Sequence, residues 1–321
     1  MPIRAIGGRP VARNLCGCED ATAVRSRKRA GDGLLTVKSA RFPKTREPCD
    51  YPPPTRAFGR PALIIATWNV NSVRQRLPHV LDYLRETSPD ALCLQEIKCV
   101  DEAFPRAEIE ALGYNVALHG QKGFNGVAIL CKRPFEVARG LPGDPDDLQA
   151  RYIEGVIPTA RGVVRLASIY LPNGNPIGTE KYPYKLAFMD RLIRHARDLL
   201  AFEEPLVLAG DYNVIPEPRD AAHPEQWTND ALFLPTTRAK FNELVALGFT
   251  EALRATTDAG GLYSFWDYQA GAWQRDNGIR IDHLLLSPQA ADLLKSVTID
   301  KSMRAREKAS DHVPVRIELK D

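Results

Sequence analysis

The chain has 321 residues, a net charge of only +3, and 44% hydrophobic and 26% charged side chains, which is the balance of an ordinary globular protein able to build a sizeable core. No apolar run approaches the ~20 residues of a membrane span, so a soluble protein is expected. Six cysteines (Cys16, Cys18, Cys49, Cys93, Cys99 and Cys131) with no repeated Cys-x-x-Cys spacing point to reduced thiols in a cytoplasmic protein. The small net charge hides an asymmetry, because residues 1–60 carry 13 Lys and Arg against 5 Asp and Glu, and the remainder 30 against 35. If the acidic remainder meets nucleic acid, it needs a local basic face and cations that offset its carboxylates.

In chain order, residues 1–60 come first. They contain Arg25-Ser26-Arg27-Lys28-Arg29 and Tyr51-Pro52-Pro53-Pro54, show no sustained apolar periodicity, and read as a basic, disordered extension. A lone Cys16-Gly17-Cys18 is weak as a metal site. Only Ser26 and Ser39 stand beside five acidic residues, which argues against a transit peptide. From Pro61 short apolar runs alternate with amphipathic stretches. Strands are expected at 62–68, 91–95, 127–131, 152–157, 163–170, 206–209, 281–286 and 313–319. Helices are expected at 78–87, with Pro78 in a first turn, and at 182–202, where Phe188, Leu192, Ala196 and Leu199 recur at helical spacing. Successive strands without an intervening helix favour an α/β fold with mixed or antiparallel sheets.

Polar residues gather where the strands end: Asn69 and Asn71, Gln95-Glu96, Asp211 and Asn213, Asp282, and Asp311-His312. Singly, each is an ordinary turn former or cap. If the ends converge on one rim, Glu96, Asp211, Asp282 and Asp311 would repel one another and require a cation. Oxygen ligands without a cysteine or histidine cluster select Mg²⁺, with Mn²⁺ as substitute, over Zn²⁺. Asp211 and Asn213 are two apart, so in an extended segment they face one side and can grip a water. Beside a carboxylate, His312 would stay protonated and donate to a phosphate oxygen. His195, on the amphipathic helix, reads as structural or solvated.

Thr67-Trp68-Asn69-Val70-Asn71, Leu94-Gln95-Glu96-Ile97-Lys98, Tyr170-Leu171-Pro172-Asn173-Gly174, Gly210-Asp211-Tyr212-Asn213, Arg280-Ile281-Asp282 and Ser310-Asp311-His312 together resemble the exonuclease III family of abasic-site endonucleases. The resemblance covers 61–321 and implies a four-layer α/β sandwich, two facing mixed β-sheets flanked by helices. It implies that Asn69 and Glu96 help hold the metal, with Asp311 in support. Asp211 would activate the water, Asn213 would orient it or the phosphate, and the pair would complete the metal surroundings. Asp282 would pair with His312, while Tyr170 and Asn173 contact the phosphate.

The implied activity is hydrolysis of DNA 5′ of abasic sites and removal of nucleotides or blocking groups from 3′ ends of duplex DNA, by a monomer. Its partner is double-stranded DNA with abasic sites or 3′ ends. Lys98, Lys122 and Arg151 are expected to touch the DNA backbone. Phe265, Trp266 and Ile279 are candidates for a pocket taking the baseless nucleotide, although Trp266 reads equally well as core. The order Phe265-Trp266 is opposite to that of the bacterial namesake and more like the animal-type enzymes. The competing readings are a phospholipid phosphodiesterase of the wider endonuclease/exonuclease/phosphatase superfamily and a non-catalytic DNA-binding relative. The family's chains begin shortly before the first asparagine, here at Leu63, and no methionine lies between Met1 and Met189. Translation from a Leu codon, with residues 1–62 an artefact of gene calling, is therefore an expectation.

Overall fold

The computed structural model describes residues 62–320, and what was expected of residues 1–60 lies outside them. In chain order the elements are β1 (Ala62–Asn69), α1 (Val73–Glu86), β2 (Ala91–Gln95), α2 (Arg106–Glu110), β3 (Asn115–His119) and β4 (Val127–Cys131). Next come β5 (Glu136–Arg139), β6 (Tyr152–Thr159), β7 (Gly162–Tyr170), α3 (Lys181–Leu200) and β8 (Leu206–Asp211). The chain continues with α4 (Pro235–Val245), β9 (Thr250–Glu251), β10 (Asp282–Leu286), α5 (Pro288–Ala291), β11 (Leu294–Ile299) and β12 (Val315–Lys320).

The strands form two six-stranded sheets, ordered β11-β12-β1-β2-β4-β3 and β5-β6-β7-β8-β10-β9. Each contains one parallel pair, β1 with β2 and β7 with β8, among antiparallel neighbours. Mixed sheets were the sequence-based expectation. Period-2 alternation sorts the side chains into layers. Leu63, Ile65, Ala91, Cys93, Val127 and Ile129 meet Ile153, Val164, Leu166, Val207, Ala209 and Leu284 between the sheets. Trp68, Leu92 and Leu94 on the other face of the first sheet pack on Val80, Tyr83 and Leu84 of α1. Ala167, Ile169, Leu206 and Leu208 pack on Phe188, Leu192 and Ala196 of α3 and Phe241 of α4. Helix, sheet, sheet, helix is thus the order of layers, and each fully buried Leu, Ile or Val contributes about 1.5–3 kcal/mol.

Two expectations need correction. Helix α1 begins at Val73, not Pro78, so Pro78 lies inside it rather than in the first turn. The helix holds because Val73, Val80, Tyr83 and Leu84 form a buried stripe whose burial outweighs one lost backbone bond. Strands β3, β5, β9 and β11 and helices α2, α4 and α5 were not anticipated. In β5 and β11 no residue is fully buried, so their apolar signal is diluted, and β9 has two residues. Proline at the first position starts α4.

Candidate active site

The inward-facing sets that build the core do not stop at the sheet ends; they change from apolar to polar. In β1 the series Leu63, Ile65 continues as Thr67, Asn69; in β2, Ala91 and Cys93 lead to Gln95; in β7, Val164 and Leu166 lead to Ser168 and Tyr170. In β8 the series Val207, Ala209 ends at Asp211, and in β10 Leu286, Leu284 runs back to Asp282. Parallel pairing sets Asn69 against Gln95 and Tyr170 against Asp211, and antiparallel pairing sets Asp282 against Asp211. Five strands therefore deliver their last inward residue to one rim. A buried polar step separates it from the core: Gln95 Nε2 donates to Thr67 Oγ1 at 3.0 Å and to Ser168 Oγ at 2.9 Å. Gly210 is required here, since a Cβ would lie 2.0 Å from the Ile169 carbonyl oxygen.

One half of the rim is dry. Asp211 is 1% exposed, Asp282 1% and His312 4%. Asp211 Oδ1 accepts the Asn213 backbone N–H at 2.9 Å, and Oδ2 accepts Asn69 Nδ2 at 2.9 Å with His312 Nε2 3.7 Å away. His312 Nδ1 lies 2.8 Å from Asp282 Oδ2, which also accepts the Ser264 hydroxyl at 2.6 Å. The His312 backbone is fixed too: its carbonyl accepts the Trp68 indole N–H at 3.1 Å, and bridges link Phe265 to both Ile279 and His312. Burial pushes the Asp211 carboxyl up to about 7, against the lowering pull of His312. Burial would lower His312, but Asp282 and then Asp211 outweigh it and hold its proton up to about 10.

The other half is wetter. Glu96 and Asp311 are half-buried. Glu96 accepts Asn69 Nδ2 at 2.8 Å and pairs with Lys98 Nζ at 2.8 Å. Burial would raise its carboxyl, yet the Lys98 charge and the Asn69 amide hold it below the ordinary value. Lys98 also donates to Asn71 Oδ1 at 2.5 Å, and Asn71 Nδ2 donates to Asp311 Oδ1 at 3.1 Å. Asn71, Glu96, Lys98 and Asn213 take left-handed φ values of 44°, 51°, 53° and 48°. Such backbone costs about 1–3 kcal/mol per residue and is commonest at functional sites. Tyr170 faces both halves, its phenol held well above its usual range by burial and by Glu96 and Asp211. The Arg151 guanidinium stacks 4.8 Å from its ring centre.

The fold brings together Asn69, Glu96, Lys98, Tyr170, Asp211, Asn213, Asp282, Asp311 and His312. Asn173, exposed, joins them by donating from Nδ2 to Asn213 Oδ1 at 3.0 Å. Phe265 is half-buried, its ring 4.9 Å from that of His312, over a cluster containing Ile279, Ile281 and Leu232. Lys122 is exposed on the turn between β3 and β4. Trp266 corrects the pocket expectation: it is 0% exposed, its indole N–H donates to Asp276 at 3.0 Å, and its ring packs on Trp273. It is core. His195 is structural, as expected, 2.9 Å from Glu154.

Sequence reasoning gave Asn71 no role and passed over Ser264 and the buried Lys185, whose Nζ donates to the Asn173 and Asn213 carbonyls at 3.0 and 2.6 Å. Asn71 lay inside the first motif, where nothing separated it from a turn former, and Ser264 carried no signal of its own. Lys185 had a signal: it continues the Phe188, Leu192, Ala196, Leu199 stripe one turn earlier, a charge at a core position.

The Endonuclease/Exonuclease/phosphatase family is matched over residues 66–312, a span that includes every residue above from Asn69 to His312. Exodeoxyribonuclease III of Haemophilus influenzae is 36% identical over 264 residues, covering 79% of this chain and 98% of its own length. The DNA repair nuclease APEX1 of Danio rerio is 32% identical over 304 residues, covering 90% and 94%. Among solved structures, the 3′ phosphatase NExo from Neisseria bound to product DNA hairpin superposes with a TM-score of 0.78 at 38% identity, covering 80% of this chain and 99% of that one. An AP endonuclease from Archaeoglobus fulgidus gives 0.77 at 37% identity, covering 81% and 100%. Fold, strand-end residues and relatives agree, and the chain belongs to the exonuclease III branch of the Endonuclease/Exonuclease/phosphatase family.

Proposed function

We propose that residues 61–321 form a metal-dependent DNA phosphodiesterase that cuts 5′ of abasic sites and trims nucleotides or blocking groups from 3′ ends of duplex DNA. The observation that carries this is a buried carboxylate, Asp211, beside a buried imidazole, His312, whose two nitrogens face Asp211 and Asp282 at 3.7 and 2.8 Å, next to a half-exposed set of oxygen donors. Asp211 takes a proton from water held between its carboxylate and the Asn213 amide, and a carboxyl pushed up to about 7 suits that work near neutrality. His312, its proton fixed by Asp282, donates from Nε2 to a phosphate oxygen as negative charge builds on the five-coordinate phosphorus. Tyr170 and Asn173 hold the phosphate from the opposite side. The water oxygen joins phosphorus as the bond to the 3′ oxygen breaks; the departing 3′ oxygen takes a proton from solvent and Asp211 gives its own back to solvent, leaving a 3′-hydroxyl and a 5′-phosphate.

The donor chemistry fits a hard cation. Glu96 and Asp311 offer carboxylate oxygens, Asn69 and Asn71 link them to Asp211 and Lys98, and the described cysteines are buried elsewhere in the core. Asp211, Asp282 and His312 also present ligand atoms within 4.8 Å of one another, but both His312 nitrogens face carboxylates and its held proton already balances them. We therefore place Mg²⁺, or Mn²⁺ in its stead, with Glu96 and Asp311, helped by Asn69 and the Asp211–Asn213 pair. When bound, such an ion supplies Lewis-acid stabilisation of phosphate oxygen charge.

Phe265, over the Ile279 and Ile281 floor, is the surface for the baseless sugar, whose extrusion forfeits less stacking than that of a normal nucleotide. Lys98, Lys122 and Arg151 face the backbone phosphates. We read the enzyme as a monomer and as cytoplasmic, the latter in keeping with the free thiols of Cys93, Cys99 and Cys131. No described helix is long and apolar enough to cross a membrane. The test is a duplex oligonucleotide with one abasic analogue: cleavage with Mg²⁺, none with EDTA, and none by Asp211→Asn. Turnover of phosphoinositides with no cutting of this duplex would overturn the reading.

A further inference from the structure

Lys185 is 0% exposed, on the face of α3 that packs against the second sheet. Its Nζ donates to two backbone carbonyls, Asn173 at 3.0 Å and Asn213 at 2.6 Å. These belong to different loops, one following β7 and the other following β8. The side chains of the same two residues are themselves paired, Asn173 Nδ2 to Asn213 Oδ1 at 3.0 Å. Asn213 is tied further to Asp211 by its backbone N–H and to the Leu171 carbonyl by Nδ2. Behind the lysine the packing is close: a Cβ on Gly174 would lie 2.7 Å from Lys185 Cδ and 3.0 Å from the Ala231 methyl.

A buried amine is an expensive way to fill a core position. A methionine or leucine at this point of the stripe would pack without desolvating a charge, and burial of such groups is repaid only by good hydrogen-bond geometry. Here both bonds end on the backbone of residues that meet the phosphate and the water. We propose that Lys185 is a positioning residue for the phosphodiester reaction, locking the Asn173 and Asn213 loops in register so that their paired amides face the scissile phosphate. Burial pushes the Lys185 amine down to about 7, but the neutral amine keeps two N–H groups, so both carbonyls stay bonded in either state. The inference rests on the phosphodiesterase reading, and acts through Asn173 and Asn213 rather than by contact with DNA.

The test compares Lys185→Met, which keeps the buried stem and removes the donors, in two backgrounds: the intact enzyme and Asn173→Ala/Asn213→Ala. In the intact enzyme kcat on the abasic duplex should fall about 100-fold, the scale of an ångström-sized misplacement, with KM changed by less than about twofold. In the double-alanine background the same substitution should lower kcat by less than about threefold, because no amides remain to be positioned. Equal losses in both backgrounds, or an unchanged kcat in the first, would overturn the proposal. If Lys185→Met does not fold, the same pair of measurements is made with Lys185→Gln. An intact enzyme that fails to cut any DNA would sink the phosphodiesterase reading instead. The positioning role is then read without turnover, from the side-chain amide ¹⁵N–¹H signals of Asn173 and Asn213. Lys185→Met should collapse their dispersion, and unmoved signals would refute it.

Discussion

The two halves of the rim hold the same kinds of residue in opposite solvents. Asp211, Asp282 and His312 are buried and balance charge with a proton, whereas Glu96, Lys98 and Asp311 are half-exposed and balance it with an ammonium. Low dielectric makes each charge on the dry side strongly dependent on its neighbour, so ionisation is shifted there and the geometry is fixed. On the wet side screening weakens every pair, so charges can exchange partners when a cation or a phosphate arrives. Proton chemistry belongs to the first half and ion exchange to the second. Substitutions on the dry side should therefore act on kcat and its pH dependence, and those on the wet side on metal and salt dependence.

The largest effect is expected from Asp211→Asn, which removes the base without changing its shape. Loss of a positioned base should lower kcat on the order of 10³-fold. The fold should not suffer. Because burial raises the Asp211 carboxyl to about 7, the native state loses stability as pH rises from the unfolded value of 3.8 through about 7. The asparagine escapes that loss, so its Tm at pH 8 should match or exceed that of the intact enzyme. A variant that is inactive but melts well below the intact enzyme would mean Asp211 is a structural group.

Next comes the His312–Asp282 pair. Activity should rise through about pH 7 as Asp211 ionises and fall near pH 10 as His312 loses its proton. Asp282→Asn removes the carboxylate charge 2.8 Å from Nδ1 that does most to raise His312, so the alkaline limb should move down toward neutrality and kcat at pH 8 should fall about 100-fold. Stability should follow. The raised His312 contributes stability in full below 6.5, and loses it as pH rises through about 10. Asp282→Asn should flatten that decline. An alkaline limb that stays in place in Asp282→Asn would show that some other group sets it.

On the wet side, Asp311→Asn should raise the Mg²⁺ concentration for half-maximal rate about tenfold, with most of kcat restored at saturation. The acid limb of the profile should move little, since Asp311 reaches Asp211 through the chain of Asn71, Lys98, Glu96 and Asn69 and through a pull on His312 that is smaller than that of Asp282. If instead Mg²⁺ dependence is unchanged and the acid limb moves, the division between the halves fails.

How much of this could be read from the chain follows the same division. Inward-facing alternation is a strong signal, so strands such as β2 and β4 were placed to the residue and the switch from Val207, Ala209 to Asp211 was visible as a carboxylate ending an apolar series. Convergence of the ends was not visible, because it depends on parallel pairing of β1 with β2 and of β7 with β8, which nothing local encodes. Trp266 shows the limit on the aromatic side: only burial and the Asp276 bond separate a core indole from a pocket wall. Lys185 shows the reverse, a readable anomaly whose meaning needed the two carbonyls to be seen.

The smallest effect should come from Lys122, exposed on its turn and outside the hydrogen-bonded cluster. A backbone phosphate contact of this kind positions the duplex without taking part in the chemistry, and is screened by salt. Lys122→Ala should raise KM for duplex DNA about twofold to threefold at low salt, leave kcat unchanged, and lower the slope of log affinity against log salt by about one. The difference from the intact enzyme should vanish at high salt. Lys98→Ala is the contrast that sharpens the comparison, because Lys98 also neutralises Glu96 at 2.8 Å. Its loss should alter both the salt slope and the Mg²⁺ dependence, whereas Lys122→Ala should alter the salt slope alone. Identical behaviour of the two variants would mean that Lys98 is simply another surface cation and that Glu96 does not need it.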